Sequence, residues 1–368
     1  MVMTHCAMGG AEMVTLRLIE GLVDAFAFTL FAVLDDKPHG PVRQGMIDRC
    51  DAVGCPIVFG SRRPFKRGGV LVAAWRLART IRRTKPDVVH LHCEIAELTY
   101  AVALHLDPRL RRQRVLRTVH NSVLWIDWQA IGRWTTRSLA HAEVIAVSQA
   151  ASATDFAILG KAPVPPCEII YNGVKPPPPR PSSDPIAQER PFRLLFAGRF
   201  VAQKGCDLLP AIFSATAAEV PDRAVSVTIA GHGVLASELE GIRAPDLWQI
   251  DLVPPIVNLA DLLCEFDGVI MPSRHEGLVL LGIESLLARV PLVATRAPGL
   301  DEILPPQWPL VADVDDVAGL ARQLARLISD SERYAALAGD ARDWLTARFS
   351  VEAMLSAHAR RYRGAKRP

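Results

Sequence analysis

The sequence predicts an α/β protein made of two parallel-sheet domains that face each other across a cleft. Short aliphatic runs alternate with amphipathic stretches of helical period along the whole chain, which is the pattern of parallel strands covered by helices. Of the 368 residues, 50% are hydrophobic and only 6% are aromatic. At roughly 100 to 200 residues per domain, this length predicts two domains that can each bury a core.

The first predicted domain spans residues 1–172. It starts with a short strand at residues 1–4, a turn that contains Gly9 and Gly10, and an amphipathic helix over residues 11–23. Further strands are predicted where an aliphatic run precedes a loop or a helix, at residues 28–34, 87–92, 114–119, 143–147 and 168–170.

A proline-rich tract separates the two predicted domains. Residues 173–190 cannot continue a strand or a helix, and we expect an extended linker there. The second domain, residues 191–346, has strand candidates at residues 192–197, 226–230, 247–252, 268–271 and 291–294. Residues 347–368 are expected to form a helix that packs back on the first domain.

Charge and cysteine content narrow the class of protein. The net charge of +3 combines a basic first half with a mildly acidic second half, and basic clusters lie at residues 61–67, 79–85 and 109–117. These clusters either meet phosphates or anionic lipid, or are solvated surface without a partner. The seven cysteines have no C-x-x-C spacing, which argues against a disulfide framework and a zinc site and fits a reducing cytosol.

The longest nearly uncharged apolar run, residues 22–34, is too short to span a bilayer, and no signal peptide precedes it. The expected location is therefore the cytoplasm. Any contact with an anionic membrane surface is expected to be peripheral, on its cytoplasmic face.

Gly9 and Gly10 lie in a strand–turn–helix segment of a kind that binds phosphate. Glycine lets the backbone approach an anion, and the first N–H groups of the helix attract it. An ordinary loop between a strand and a helix is the alternative, and for a turn with two glycines it is the more frequent case.

Arg199 and Lys204 flank a turn that directly follows a predicted strand. Two cations at the carboxyl end of a strand can neutralise a diphosphate, and a guanidinium can donate two parallel hydrogen bonds to it. Either residue taken alone would more often be an ordinary surface cation.

Glu276 and Glu284 are the carboxylates of the segment 271–288. If a helix begins just after Gly277, they lie roughly 12 Å apart along its axis and about 80° around it, comparable with the reach of a nucleotide sugar. One carboxylate could then accept hydrogen bonds from a sugar and the other from a ribose. Alternatively, Glu276 caps the helix and Glu284 is a paired interior charge, since a carboxylate so close to Ile283 needs a partner.

From Gly9 to about Arg348 the chain resembles family 4 of the retaining glycosyltransferases, which has the GT-B fold of two Rossmann-like domains. The landmarks of this family occur in order, which is a stronger signal than any single motif. They are Gly9-Gly10-Ala11-Glu12, residues 86–92, Thr118-Val119-His120, Val147-Ser148, residues 171–174, Gly198-Arg199-Phe200 with Lys204-Gly205, and Glu276 to Glu284.

The resemblance implies donor-binding roles in the second domain. Arg199 and Lys204 would bind the donor diphosphate, and Glu284 would hold the ribose. Glu276 would position the donor sugar together with the backbone of three residues, Gly277, Leu278 and Val279.

In the first domain, the resemblance implies that Gly9 and Gly10 face the phosphate and that His120 lies beside the reacting face of the sugar. The residues expected to act in catalysis are His120, Arg199, Lys204 and Glu276.

The chemistry of this family implies transfer of a hexose, with retention, from a nucleotide diphosphate sugar to a glycan or lipid-linked glycan acceptor in cell-surface polysaccharide assembly. No metal, cofactor or nucleic acid partner is expected. A catalytically inactive nucleotide-sugar-binding or scaffold subunit with the same fold is the alternative from another class. An epimerase or a phosphorylase with the GT-B fold is a third.

Two sets of residues have the composition of metal sites. His90, His92 and Cys93 would permit one, but the sequence offers no further ligand cluster nearby, and a pair of histidines at a strand end also suits a cleft. The D-x-D string at residues 313–316 is better explained as a turn that caps a helix from Val317.

Trp125, Trp128 and Trp134 lie close to Arg133 and Arg137 in a helix predicted just after His120. Such a helix suits a membrane interface at which a lipid-linked acceptor is presented. Packing of the three rings in the core is the alternative, and both interpretations stay open.

Overall fold

The computed structural model describes residues 1–6, 9–35, 40–126, 128–158, 167–180 and 190–364. The chain forms two units. Unit 1 comprises Met1–Gly173 together with Val351–Pro368, and unit 2 comprises Val174–Ser350.

Unit 1 is built on a parallel sheet of seven strands. The strands are β1 (Val2–Met3), β2 (Leu30–Leu34), β3 (Ile57–Ser61), β4 (Val88–His92), β5 (Arg114–Val119), β6 (Glu143–Ala146) and β7 (Glu168–Ile169). Their order in the sheet is β3-β2-β1-β4-β5-β6-β7. The sequence predicted all of them except β3, an edge strand that includes Gly60 and Ser61 and is only partly buried.

Helices cover this sheet, and all of them except the last lie between successive strands. Numbered along the chain, they are α1 (Gly10–Leu22), α2 (Pro41–Ala52), α3 (Gly69–Thr84), α4 (Glu94–Leu106), α5 (Gln129–Ser138), α6 (Gln149–Ala157) and α14 (Val351–Arg363). Short 3₁₀ turns lie at Phe65–Arg67 and Pro108–Arg112.

The helix α14 is separated from the rest of unit 1 by the whole of unit 2, and it packs on α1. The Tyr362 ring meets the edge of Phe26 with 5.4 Å between centroids. Arg114 donates hydrogen bonds to the carbonyl oxygens of Arg361 and Tyr362 at 2.6 and 3.0 Å. The last helical segment of the chain is thus an integral part of unit 1.

Unit 2 has its own parallel sheet of six strands. These are β8 (Phe192–Arg199), β9 (Val225–His232), β10 (Trp248–Val253), β11 (Gly268–Met271), β12 (Leu292–Thr295) and β13 (Val311–Ala312), in the order β10-β9-β8-β11-β12-β13. The helices are α7 (Leu209–Glu219), α8 (Ala236–Glu240), α9 (Leu259–Leu262), α10 (Leu280–Leu287), α11 (Val317–Ser329), α12 (Ser331–Asp340) and α13 (Arg342–Arg348).

These two sheets confirm the predicted α/β class with two parallel-sheet units. In each sheet the strand order reverses once, between β1 and β4 in unit 1 and between β8 and β11 in unit 2. Ligands of open α/β sheets bind at such a reversal, outside the carboxyl ends of the strands.

A buried ion-pair network fixes the start of unit 2. Asp267 is 0% exposed and accepts hydrogen bonds from Arg180 at 2.6 Å, from Arg190, and from the backbone N–H of Arg193 at 2.8 Å. Burial by itself raises the pKa of Asp267. The hydrogen bonds lower it by more than burial raises it, so the pKa lies below its ordinary value. Residues 181–189 of the predicted linker lie outside the described residues.

The cysteine thiols remain unlinked. None of the seven cysteines, all of which lie in the described ranges, forms a disulfide, and five of them are buried: Cys6, Cys50, Cys55, Cys167 and Cys206.

We expect Asp267→Asn to lower the free energy of unfolding by about 3–5 kcal/mol, because the buried Arg180 guanidinium loses its carboxylate. Urea denaturation measures this loss. The exposed Asp261→Asn is the matched control and should stay within about 0.5 kcal/mol of the parent. Equal stabilities of the two variants would contradict the prediction.

The effect of Asp267 on stability should depend on pH. Its folded-state pKa lies below the unfolded value of about 4, and the carboxylate therefore stabilises the fold above that pH. As the pH falls through the folded-state pKa, this stabilisation is lost. The difference between the parent and Asp267→Asn should then shrink, which denaturation at a series of pH values would show.

Candidate active site

The predicted donor-binding residues of unit 2 gather at the carboxyl ends of the central strands. Arg199 is the last residue of β8 and is exposed, and Lys204 lies in the 3₁₀ turn that follows. The segment from Ser273 to Glu276 follows β11, and Thr295 ends β12. The site therefore lies at the reversal of the strand order.

Lys204 and Glu276 are in direct contact. The Lys204 Nζ lies 2.6 Å from Oε1 of Glu276, and the Ser273 hydroxyl donates to the same oxygen at 2.7 Å. Glu276 is only 5% exposed, and a carboxylate buried to this degree requires such partners. In the structure, the residue predicted to bind the phosphate, Lys204, therefore contacts the residue predicted to bind the sugar, Glu276.

Two glycines allow the loops to pack closely around this pair. Gly205 has φ of 65°, and a side chain there would overlap the carbonyl of Pro272. Gly299 has φ of 79°, and a side chain there would overlap the carbonyls of Glu276 and Gly277. Both positions need glycine for its left-handed backbone and for its lack of a side chain.

Arg274 ties the Lys204 loop to the Glu276 segment. Its guanidinium donates to both carboxylate oxygens of Asp207 at 2.8 Å, to Asp315 at 2.7 Å and to the carbonyl of Ala202. The hydrogen bond from Arg274 lowers the pKa of Asp207 below its ordinary value.

A second tie runs through Gln203, which donates to the carbonyl of His275 at 3.0 Å and accepts from Arg199 at 3.1 Å. No pattern in the sequence selects Ser273, Arg274 or Gln203 as functional residues. Their only signal is their position beside Glu276 and Lys204. For Gln203 and Arg274 this is because their contacts join parts of the chain about 70 residues apart.

The helix that carries Glu284 starts later than predicted. α10 begins at Leu280, whereas the separation derived from the sequence assumes a helix that begins just after Gly277. Val279 precedes the helix in an extended conformation, and no side chain caps it, so Glu276 does not act as a cap. Because residues 276–279 are not helical, the predicted axial separation of the two carboxylates does not apply.

The three residues between Glu276 and the helix are buried: Gly277, Leu278 and Val279. Glu284 is half-buried in the second turn of α10. The predicted sugar-binding and ribose-binding residues of unit 2 therefore lie on one continuous segment, from Glu276 to Glu284, that ends in this helix.

The D-x-D string has the structural role that the sequence predicted. Asp316 caps α11 by accepting a hydrogen bond from the backbone N–H of Gly319 at 2.8 Å. Asp315 is engaged by Arg274. Within the described residues, no group of three or more His, Cys, Asp or Glu side chains is placed to hold a metal ion.

In unit 1, the predicted glycine turn leads into α1. Gly9 is the N-terminal cap residue, and its carbonyl accepts from the N–H of Met13 at 3.0 Å, while Gly10 is the first helical residue. Residues 7–8 of the turn lie outside the described part of the chain.

His120 follows β5 and joins a cluster of buried histidines. Its Nε2 lies 2.9 Å from Nδ1 of His92, the last residue of β4. Beside them, His90 contacts the Thr118 hydroxyl at 2.6 Å and the Tyr362 hydroxyl at 2.8 Å. The sequence permits a metal site at His90 and His92. In the structure, both side chains form hydrogen bonds to other protein side chains.

Burial keeps these histidines neutral. It lowers the pKa of His120 to about 3 and the pKa of His358, which packs near His90, to about 4. It lowers the pKa of His90 and of His92 well below the ordinary value.

The three tryptophans near His120 differ in their surroundings. Trp125 and Trp128 precede α5, and only Trp134 lies within it, so the predicted helix begins later than expected. Trp125 is 5% exposed and packs with Val70 and Leu98. Trp128 stacks on Phe65, whereas Trp134 is 39% exposed.

Comparison with known proteins gives matches in both halves of the chain. Residues 8–176 match the model of Glycosyltransferase Family 4, and residues 191–330 match the model of Glycosyl transferases group 1. The glycogen synthase of Mycobacterium tuberculosis is 26% identical over 309 residues, which are 78% of this chain and 71% of that protein.

Two further matches cover less of the partner protein or have a lower sequence identity. An uncharacterized glycosyltransferase of Methanocaldococcus jannaschii is 27% identical over 169 residues, 45% of this chain and 44% of that relative, so that less than half of its length is matched. The crystal structure of Anabaena HepE in complex with UDP-glucose superposes with a TM-score of 0.78 at 17% identity, covering 99% of this chain and 98% of that chain.

The similarity to HepE concerns the fold alone, and that fold is GT-B. Each of the two family models covers most of one unit. The chain is therefore a member of the glycosyltransferases, with a family 4 first half and a group 1 second half.

Proposed function

We propose that the chain is a retaining, metal-independent glycosyltransferase that transfers a hexose from a nucleotide diphosphate sugar to a glycan or lipid-linked glycan, in cell-surface polysaccharide assembly. The observation that carries the proposal is the Lys204–Glu276 pair at the strand-order reversal of unit 2. A cation and a carboxylate in contact offer one group for a diphosphate and one for sugar hydroxyls. The UDP-glucose complex of HepE supports a nucleotide sugar as the donor.

In this proposal, Arg199 and Lys204 bind the donor diphosphate, and Glu284 accepts hydrogen bonds from the ribose. The sugar is held by Glu276 and by the backbone of residues 277–279. Ser273 continues to donate to Glu276 when Lys204 turns toward a phosphate, so that the buried carboxylate keeps a partner.

In unit 1, the glycine turn at Gly9 and Gly10 supplies N–H groups at the start of α1 for a phosphate. His120 supplies a hydrogen-bonding ring beside the sugar.

The proposed reaction breaks the bond between the anomeric carbon and the diphosphate oxygen. The acceptor oxygen forms its bond on the same face, and its proton passes to the departing phosphate. Negative charge grows on the diphosphate as the bond breaks. Arg199 and Lys204 stabilise that charge by electrostatic preorganisation, and no residue has to form a covalent bond to the sugar.

A panel of nucleotide sugars in a thermal-shift assay should identify the donor, because a ligand that binds only the folded state raises its stability by about 2.7 kcal/mol at one hundred times the dissociation constant. The same donor should support transfer. The anomeric configuration of the sugar should be the same in the product as in the donor, which NMR would show. A chelator such as EDTA should leave the rate unchanged. Binding without transfer to any acceptor would favour an inactive nucleotide-sugar-binding subunit.

Variants of the two glutamates should have distinguishable effects. Glu284→Ala should mainly raise the KM for the donor, by about tenfold for one lost hydrogen-bonding group. Glu276→Gln should also lower kcat by about tenfold or more, because only contacts that strengthen in the transition state raise that rate. The exposed Glu240→Gln is the control. Identical kinetic changes in both variants would contradict the assignment.

Lys204→Ala should lower kcat/KM by about 100-fold, because it removes a charge-assisted hydrogen bond to the leaving group. Steady-state kinetics measure this change, with the exposed Lys175→Ala as the control. A Lys204 variant that transfers sugar at the parent rate would overturn the diphosphate assignment.

We further propose peripheral contact of unit 1 with an anionic membrane on the cytoplasmic side. Ile126, Ile131 and Trp134 are 59%, 40% and 39% exposed, and Phe65 stacks on Trp128 with 4.6 Å between centroids. This stacking joins the basic segment 61–67 to Trp128, which directly precedes the helix that carries Ile131 and Trp134, and such a combination suits an anionic interface. No described helix is long and apolar enough to cross a membrane.

Sedimentation with anionic vesicles tests the membrane proposal. The parent protein should sediment with them and release as salt is raised, because exposed charges are screened. Trp134→Ala combined with Arg63→Ala and Arg67→Ala should abolish sedimentation, whereas Leu247→Ala, at an exposed apolar residue of unit 2, should not. Failure of the parent protein to sediment at low salt would exclude the proposal.

A further inference from the structure

The contact between His92 and His120 constrains what His120 can do. We propose that His92 is a positioning residue, whose Nδ1–H donates to Nε2 of His120 and holds His120 in the tautomer with its proton on Nδ1. The inference rests on the proposed function, in which His120 lies beside the donor sugar. It assigns His120 as a hydrogen-bond donor to an oxygen of the ligand.

A single proton lies between the two rings. The Nδ1 of His92 and the Nε2 of His120 are 2.9 Å apart, a hydrogen-bonding distance. Both rings are neutral, because burial lowers the pKa of each far below the physiological range. In a neutral imidazole one nitrogen donates and the other accepts, so one ring is the donor in this contact and the other is the acceptor.

The surroundings of the other ring nitrogen of His92, Nε2, indicate which of the two histidines is the donor. His92 is 1% exposed, and its Nε2 is buried without a hydrogen-bond partner among the described residues. If His120 donated, His92 would carry its own proton on this Nε2 as an unpaired N–H. If His92 donates, its Nε2 is an unpaired acceptor. Unpaired N–H groups are the rarer of the two in protein interiors, and the second arrangement is favoured.

The His92 ring is held in place by a neighbour that is itself fixed. The rings of His90 and His92 lie 4.0 Å apart between centroids. Both nitrogens of His90 are engaged, one by the Thr118 hydroxyl and the other by the Tyr362 hydroxyl. The orientation of His92 therefore follows from contacts on three elements, β4, β5 and α14.

This arrangement leaves the Nδ1–H of His120 as the group that a ligand meets, because Nε2 is occupied by His92. His120 is partly exposed, whereas His92 behind it is not. An N–H donor can bond to a hydroxyl, ring or phosphate oxygen, but it cannot accept the proton of an attacking hydroxyl. The acceptor proton must therefore go elsewhere, in agreement with its proposed transfer to the departing phosphate.

The tautomer can be read directly by NMR, independently of activity. In protein with ¹⁵N-labelled histidine, long-range ¹H–¹⁵N spectra distinguish a protonated ring nitrogen from an unprotonated one. The signals of His120 are assigned by their loss in His120→Asn. We expect a protonated Nδ1 and an unprotonated Nε2 for His120. The opposite pattern would overturn the inference.

Two variants of His92 separate positioning from packing. His92→Leu fills a similar volume without a donor, whereas the side-chain amide of His92→Asn can still donate to His120. We expect His92→Leu to lower kcat by about tenfold, the equivalent of one hydrogen bond, with an unchanged donor KM. His92→Asn should restore most of kcat and the protonated Nδ1 of His120. The exposed His141→Asn serves as the control.

Each result has a defined meaning. If the two His92 variants lose kcat equally while thermal melts show both to be folded, or if neither loses kcat, the positioning role is wrong. If the parent protein transfers sugar from no donor, the proposed function fails. The NMR result then still decides whether His92 sets the tautomer of His120.

Discussion

A sheet of parallel strands covered by helices on both faces is open to a ligand only where its strands end, and the rest of this structure depends on that constraint. Along β11, Val269 and Ile270 are 0% exposed, and the chain changes to Ser273 and Glu276 as soon as the strand is over. In unit 1, His92 occupies the last position of β4 in the same way. The reversal of strand order opens room for a ligand at these ends.

The side chains at the strand ends differ in charge between the two units. In unit 2 the groups are charged, and the buried Glu276 carboxylate is offset by Lys204 and a hydroxyl. In unit 1 the groups are neutral, because desolvation by the surrounding protein lowers the pKa of His92 and of His120. Charge suits the binding of a diphosphate, and neutral donors suit the recognition of sugar oxygens.

Features that depend on local sequence were predictable, and those that depend on distant contacts were not. The aliphatic strands and the Asp316 cap follow from neighbouring residues alone. The start of α10 at Leu280 depends on how the preceding loop packs beneath Gly299, which no helical pattern encodes. The edge strand β3 was missed because Gly60 and Ser61 interrupt its apolar pattern.

The same distinction holds for the candidate site. Lys204 and Glu276 were selected from their motifs, but their contact spans 72 residues and became visible only in the fold. No local sequence pattern indicates the roles of Arg274 and Tyr362, because their hydrogen-bond partners lie in other elements.

The contact of Tyr362 with His90 also implies an order of assembly, since α14 leaves the ribosome after all of unit 2. Until then the aromatic face around Phe26 stays uncovered, and unit 1 remains incomplete until a segment that follows unit 2 in the sequence has been synthesised.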